Sequence, residues 1–195
     1  MKNIFEQGEF NEFRISRLDD VISPINESYQ FAQKKTTVFI SHKHEDLEDL
    51  KAVIGFLEKS YGIKVYIDSQ DPAMPKITSG ETASKIKERI VKCDKFILLA
   101  TNGAIDSKWC NWELGYGDSQ KYKEHIALFP MKPKNYSNSL YKGNEYMSIY
   151  PHIVQRNRGD VYSDGRLITP GYYVRSINDD GSFSLLSLEK WFGND

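Results

Sequence analysis

The sequence of 195 residues predicts an α/β fold, with a central, mostly parallel sheet of five strands and helices on both faces. Short runs of β-branched and aromatic residues alternate along the chain with segments in which apolar residues recur at helical spacing. Such alternation is typical of βαβ units, in which a helix connects two parallel strands. The run over residues 95–101 is apolar almost throughout, as expected for a strand buried on both faces.

Five strands are predicted from residue 37 onwards, over residues 37–41, 63–67, 95–101, 126–130 and 147–154. Residues 68–79, after the second strand, contain two prolines and no apolar period, which indicates a loop. Further along, residues 172–174 and 183–185 flank an Asn-Asp-Asp-Gly turn signal, and this pattern predicts a hairpin.

Three helices are predicted between the strands. The first carries four apolar residues at helical spacing and ends at Gly62, since glycine tolerates the left-handed conformation of a helix end. The second begins at Thr78 and Glu81, which have the spacing of a capping box. The third is capped by Asp106 or Ser107 and extends to about residue 122.

The two ends of the chain are less regular than its centre. Residues 1–35 are polar and interrupted by Pro24, and we interpret them as an N-terminal extension with a short helix. Residues 36–195 are predicted to form one domain, with a core over 36–155. Residues 156–195 form a C-terminal decoration, in which glycine and asparagine indicate long surface loops, followed by a last short helix.

Composition excludes several classes of protein. Lys and Arg total 26 against 27 Asp and Glu, so there is no basic excess of the kind that binds nucleic acid. Cys93 and Cys110 are too few for a disulfide framework. Glu6 and Glu9 come too early for a signal peptide, and no apolar run is long enough to span a bilayer. These features predict a cytoplasmic protein without a nucleic acid or membrane partner.

The predicted topology locates the functional site. Parallel α/β sheets bind ligands beyond the carboxyl ends of their strands, which selects residues 41–46, 68–79 and 101–113. His42 and His44 form an HxH pair, but no further ligand follows at metal-binding spacing, so no metal is expected. Ser41 and His42 are neighbours on a strand and point to opposite faces, which argues against a nucleophile–base pair.

The segment 107–113 carries the most informative pattern. Trp109 and Glu113 are four residues apart and share a helix face, with Cys110 three residues before Glu113. An aromatic ring beside a carboxylate suits a flat, cationic ligand. The same spacing also fits a buried tryptophan and a solvated glutamate, so the pattern alone leaves both interpretations open.

Three motifs in order resemble those of the Toll/interleukin-1 receptor (TIR) domain family. Residues 38–46, VFISHKHED, resemble the first box of bacterial members. Residues 65–68 and the loop after them resemble the second strand and the BB loop, although Asp-Pro-Ala-Met-Pro replaces the usual glycine near the loop tip. Ser107-x-Trp109-Cys110-x-x-Glu113 resembles the helix whose W-x-x-x-E motif marks NAD-cleaving members. The resemblance covers about residues 36–155 and implies a flavodoxin-like TIR fold.

The resemblance also implies an activity: cleavage of the nicotinamide–ribose bond of NAD⁺, which is a substrate and not a cofactor. Glu113 is then the catalytic residue, and the substrate-binding residues are Ser41, His42, Asp68, Ser107, Trp109 and Cys110. Family members commonly self-associate through TIR surfaces and the BB loop, here residues 69–79. Stand-alone bacterial members of the Thoeris type make a cyclic or conjugated ADP-ribose signal in anti-phage defence, and that nucleotide activates a separate effector protein.

Two alternatives remain open on the sequence. One is a non-catalytic TIR module that recruits other TIR domains, a class that often lacks the glutamate. The other is an enzyme on a related α/β fold that resembles nucleoside deoxyribosyltransferases. Nicotinamide leaves NAD⁺ as a neutral molecule, so NAD⁺ cleavage does not require the second carboxylate of an ordinary glycosidase.

Overall fold

The computed structural model describes residues 2–16, 18, 35–67, 79–121, 123–178 and 180–193. These residues contain eight strands, which are β1 (Phe5–Glu6), β2 (Thr37–Ser41), β3 (Lys64–Tyr66), β4 (Lys95–Ala100), β5 (Ile126–Lys132), β6 (His152–Arg156), β7 (Gly171–Ile177) and β8 (Phe183–Ser187). The helices are α1 (Leu47–Tyr61), α2 (Gly80–Lys92), α3 (Asn102–Asp106), α4 (Lys108–Gln120), α5 (Asn144–Ile149) and α6 (Leu188–Trp191).

The sheet confirms the predicted fold class. Its strand order is β3-β2-β4-β5-β6-β7-β8, and neighbouring strands from β3 to β6 run parallel. The predicted hairpin, β7 and β8, extends the sheet beyond these five parallel strands, with β7 antiparallel to β6. The sequence predicted the hairpin but not its attachment to β6.

Two local predictions are corrected by the structure. The fifth parallel strand begins at His152, because residues 144–149 form α5 and not its first half. Tyr146, Met147 and Tyr150 pack against the core at helical spacing, which explains the difference. The capping box of α2 is Ser79 with Thr82, one residue after the predicted pair: the Thr82 amide donates to the Ser79 hydroxyl, and the Ser79 amide donates to the Thr82 hydroxyl.

Apolar side chains fill both sides of the sheet. On the side covered by α1 and α6, hereafter the α1 face, the strands contribute Val38, Ile40, Ile97 and Leu99. The alternate strand residues Phe39, Phe96 and Leu98 pack with α2, α3 and α4 on the other side, hereafter the α4 face. The central strand β4 is therefore buried on both faces, as its continuous apolar run predicted.

The N-terminal segment takes part in the core. β1 pairs in parallel with the last residues of β5, and Lys2 bridges Gln155 of β6. The segment thus lies between β5 and β6 where these two strands separate. Phe5 and Phe10 are buried on the α1 face, where Phe5 packs against Phe129 of β5 with ring centroids 5.0 Å apart.

Candidate active site

The carboxyl ends of β2 and β4 meet the start of α4 on the α4 face. Ser41 is the last residue of β2, and the Ser107 hydroxyl caps α4 by accepting the Cys110 amide at 3.3 Å. This cap fixes the start of the helix and directs Glu113, in its second turn, towards the sheet. Ser41 and Glu113 are each only 1% exposed.

Ser41 and Glu113 are joined by a short hydrogen bond. The Ser41 hydroxyl donates to Glu113 Oε2 over 2.5 Å. This distance is at the short end of the range for hydrogen bonds between a hydroxyl and an oxygen acceptor. The bond fixes the orientation of the carboxyl group, and water is excluded around it, so a negative charge here would act strongly on positive charge developing nearby.

His42 lies beside this pair but is oriented differently. Its ring is 8% exposed, and Nδ1 lies 3.5 Å from the carbonyl oxygen of Ile40. The Ser41 hydroxyl donates to Glu113, as described above, which leaves it no proton to share with the imidazole. The structure therefore supports the sequence argument against a serine–histidine nucleophile pair.

A second hydrogen-bonded link holds the segment after β2 to the segment after β4. The Thr101 hydroxyl donates to Asp46 Oδ2 over 2.6 Å and accepts the Ala104 amide at 2.9 Å. Burial raises the pKa of Asp46, and the hydrogen bond from Thr101 opposes that effect. Asp46 and Thr101 lie in two of the segments that the sequence analysis selected, but neither was named there as a site residue, although a threonine between a strand and a helix is a typical N-cap.

Trp109 belongs to an aromatic stripe along α4. Its indole is half-buried and stacks on Trp112 at 4.9 Å, and Trp112 stacks in turn on Tyr116 at 6.2 Å. Lys87 of α2 lies over this stripe, 5.7 Å from the Trp112 ring and 5.3 Å from the Tyr116 ring. The i, i+3, i+7 spacing of these aromatics was visible in the sequence, but only the pair of Trp109 with Glu113 was interpreted there.

The other predicted site residues fall in different places. Cys110 is buried among the apolar side chains of the α4 face, with Leu114 of the same helix. Asp68 and nearly all of the 69–79 loop lie outside the described residues. Within the described part of the chain, no group of three or more His, Cys, Asp or Glu residues is placed to hold a metal ion.

A family model described as the TIR domain matches residues 38–154. The match begins in β2 and ends in β6, so it spans the parallel sheet, Ser41 and Glu113. The chain belongs to the TIR domain family. The W-x-x-x-E segment of this TIR domain is α4, and its first box is β2 with the turn that follows.

Two relatives are similar to this TIR protein. A protein of Bacillus cereus (strain MSX-D12), which carries the provisional name 3′ cyclic ADP-D-ribose synthase ThsB′, is 28% identical over 79% of this chain and 77% of its own length. A protein of Cytobacillus dafuensis, provisionally named cyclic ADP-D-ribose synthase TIR2, is 28% identical over 55% of this chain and 29% of its own length. Among the described helices of this chain, none is long and apolar enough to cross a membrane.

Proposed function

We propose that this protein cleaves the nicotinamide–ribose bond of NAD⁺ and makes an ADP-ribose-derived signal nucleotide in bacterial anti-phage defence. The observation that carries the proposal is the buried Ser41–Glu113 hydrogen bond of 2.5 Å at the carboxyl end of the parallel sheet. This bond orients the carboxyl group of Glu113, which lies in the W-x-x-x-E segment of α4, and so supports the proposed role of Glu113. The names of the two relatives, both cyclic ADP-D-ribose synthases, support the same substrate class.

Glu113 acts on the charge that develops as the bond breaks. The electron pair of the bond between C1′ and the nicotinamide nitrogen leaves with nicotinamide, which departs neutral and needs no proton. Positive charge then develops on the ribose, and the Glu113 carboxylate stabilises it at short range in a site from which water is excluded. Ser41 acts as a positioning residue, because it holds one carboxylate oxygen and thereby orients the other.

The product follows from which nucleophile then bonds to C1′. We propose attack by a ribose hydroxyl or an adenine nitrogen of the same molecule. A ribose hydroxyl releases its proton to solvent as its oxygen bonds to C1′, whereas an adenine nitrogen bonds through its lone pair. The product in either case is a cyclic isomer of ADP-ribose. The names of the two relatives, which describe cyclic ADP-D-ribose synthases, support this choice. The signal would then reach a separate effector protein.

The remaining parts of the proposal concern substrate contacts and assembly. Trp109 offers a flat ring beside the site for a base or the nicotinamide, and His42, Ser107, Cys110 and Asp68 complete the proposed pocket. Because Glu113 is 1% exposed, the residues around it must move apart before ribose can reach the carboxylate. We propose that self-association through TIR surfaces and the 69–79 loop accompanies this opening.

The test is release of nicotinamide from NAD⁺ by Glu113→Gln. The amide keeps the shape of the carboxyl group but carries no charge, so we expect release to fall by about 100- to 1,000-fold. Glu145→Gln is the matched control, since Glu145 is exposed on α5 and should release nicotinamide like the wild type. Each variant is assayed as purified protein and in lysate of phage-infected cells, with mass spectrometry of the product.

The outcomes separate the candidate functions. Absence of nicotinamide release by the wild type in both settings, or equal release by Glu113→Gln, would contradict the proposal. Self-association without turnover in either setting would favour the non-catalytic TIR module. Turnover of nucleosides in place of NAD⁺ would favour the deoxyribosyltransferase-like alternative.

A further inference from the structure

Arg156 is a buried cation that makes no hydrogen bond through its guanidinium group within the described part of the chain. It is the last residue of β6 and is only 2% exposed. Among the described residues, none accepts a hydrogen bond from its Nε, Nη1 or Nη2. A guanidinium group keeps its charge and has five N–H donors, so burying it without acceptors is costly. Such a cost is expected to be offset by a function for the group.

Charged groups of both signs act on Arg156. Ile153 belongs to the α1 face, so alternation places Val154 off that face and Arg156 on the opposite, α4 face. Burial is the largest cause of the lowered pKa of Arg156, the charge of Asp160 opposes it, and the charge of Arg175 on β7 adds to it. Arg175 pairs with His152 across the sheet, and its guanidinium lies 4.7 Å from the centre of the Phe183 ring.

The acidic residue nearest in sequence, Asp160, interacts with Arg156 through its charge but not through a hydrogen bond. Asp160 raises the pKa of Arg156 through its charge, but its Oδ2 accepts the Asn157 amide at 3.0 Å and makes no hydrogen bond to the guanidinium. Asp160 is also at the protein surface, where water screens its charge. The N–H donors of the Arg156 guanidinium are therefore available to an anionic ligand.

A small flap of residues 157–168 follows Arg156. Its backbone hydrogen bonds are internal, from Tyr162 to Arg166 and from Ile168 to Asp160, each 2.8 Å long. Gly159 and Gly165 take left-handed conformations with φ of +92° and +84°. Ile168 is only 4% exposed and anchors the C-terminal end of the flap, whereas Val161 and Leu167 are 52% and 74% exposed. The part of the flap before Ile168 therefore contributes few apolar contacts to the domain.

We propose that Arg156 and the 157–168 flap form a binding site for a phosphate group, either inorganic phosphate or a phosphate ester. The planar guanidinium group presents N–H donors that match two phosphate oxygens. The strand register sets His152 of β6 level with Ser41 of β2, so Arg156 lies about 14 Å across the sheet from Ser41 and about 13 Å further along it. It is thus distinct from the Glu113 site and independent of the function proposed for that site.

Thermal unfolding of the full chain tests the phosphate site. Inorganic phosphate and AMP are titrated separately at constant ionic strength, and near ten times Kd the wild-type Tm is expected to rise by about 3–5 °C. Arg156→Met should abolish the shift and, because it removes an unpaired buried charge, raise the Tm measured without ligand. Arg156→Lys keeps the positive charge but loses the planar set of guanidinium N–H donors, so its Tm should rise less than that of the wild type. Arg158→Met, an exposed neighbour in the flap, should behave like the wild type.

A shift that depends on Arg156 supports the site whichever probe produces it, and the probe with the larger shift identifies free phosphate or a phosphate ester as the source. Equal shifts in the wild type and in Arg156→Met would place binding elsewhere and overturn the proposal. Absence of a shift with both probes at millimolar concentrations would overturn it as well. If Arg156→Met does not fold, as judged by circular dichroism, the comparison of Arg156→Lys with Arg158→Met decides the question.

Discussion

The Ser41 hydroxyl is expected to affect turnover more than substrate binding. Ser41→Ala removes the donor to a buried carboxylate, and a hydrogen bond to a charged group contributes about 1.5–3 kcal/mol. We therefore expect kcat for nicotinamide release to fall by about 10- to 100-fold with KM little changed. Ser41→Thr keeps the hydroxyl and should recover most of the activity. Ser139→Ala, at an exposed position, is the control.

Equal rates for Ser41→Ala and the wild type would show that Glu113 does not depend on Ser41 for its orientation. An increase in KM with unchanged kcat would instead show that Ser41 stabilises the bound substrate and the transition state equally. The threonine variant separates loss of the hydroxyl from a change in packing at the end of β2. Circular dichroism confirms that each variant is folded.

At the scale of elements, β1 is the contact that joins the N-terminal segment to the sheet. Phe5→Ala removes a ring that is 0% exposed and that packs against Phe10, Phe129 and Tyr172. Truncation of a buried phenylalanine typically lowers the free energy of unfolding by about 3–5 kcal/mol, and we expect that loss in urea unfolding. Phe183→Ala, at a ring 38% exposed on β8, should cost about 1 kcal/mol or less. A similarly small cost for Phe5→Ala would show that residues 2–16 are not part of the folding unit.

Features with a local sequence signal were predicted correctly, whereas contacts between distant residues were not. β4 and the end of α1 at Gly62 were predicted because a continuous apolar run and a left-handed glycine are local signals. Ser41 and Glu113 were selected separately, but their hydrogen bond joins residues 72 positions apart and has no local signal. The pairing of β1 with β5 is also long-range, and two residues are too short to give a strand pattern. Arg156 was missed because a single arginine in a sequence is expected at the surface.

At the scale of the whole molecule, the sheet has two regions of different chemistry. β2 and β4 end at a buried carboxylate, whereas β6 and β7 carry His152, Arg156 and Arg175. A net charge of −1 conceals this separation, because the total says nothing about the placement of individual charges. The region around β6 consequently determines how stability responds to acid.

The charge state of His152 is expected to make the fold sensitive to acid. Burial, together with the positive charges of Arg175 and Arg156, lowers the pKa of this imidazole to about 4, against an opposing hydrogen bond to the Tyr150 carbonyl. The unfolded chain takes up a proton near pH 6.5 and the folded chain only near pH 4. The free energy of unfolding is therefore highest above about pH 6.5 and falls as the pH is lowered towards 4, by about 3 kcal/mol in total.

The variant His152→Asn tests this expectation, because it removes the titration and keeps an N–H that can donate to the Tyr150 carbonyl. Urea unfolding at about pH 7.5 and about pH 4.5 should show a loss smaller by about 2–3 kcal/mol in this variant than in the wild type. His125→Asn, at an exposed histidine, should match the wild type, and an equal acid response in His152→Asn would assign the sensitivity to other groups.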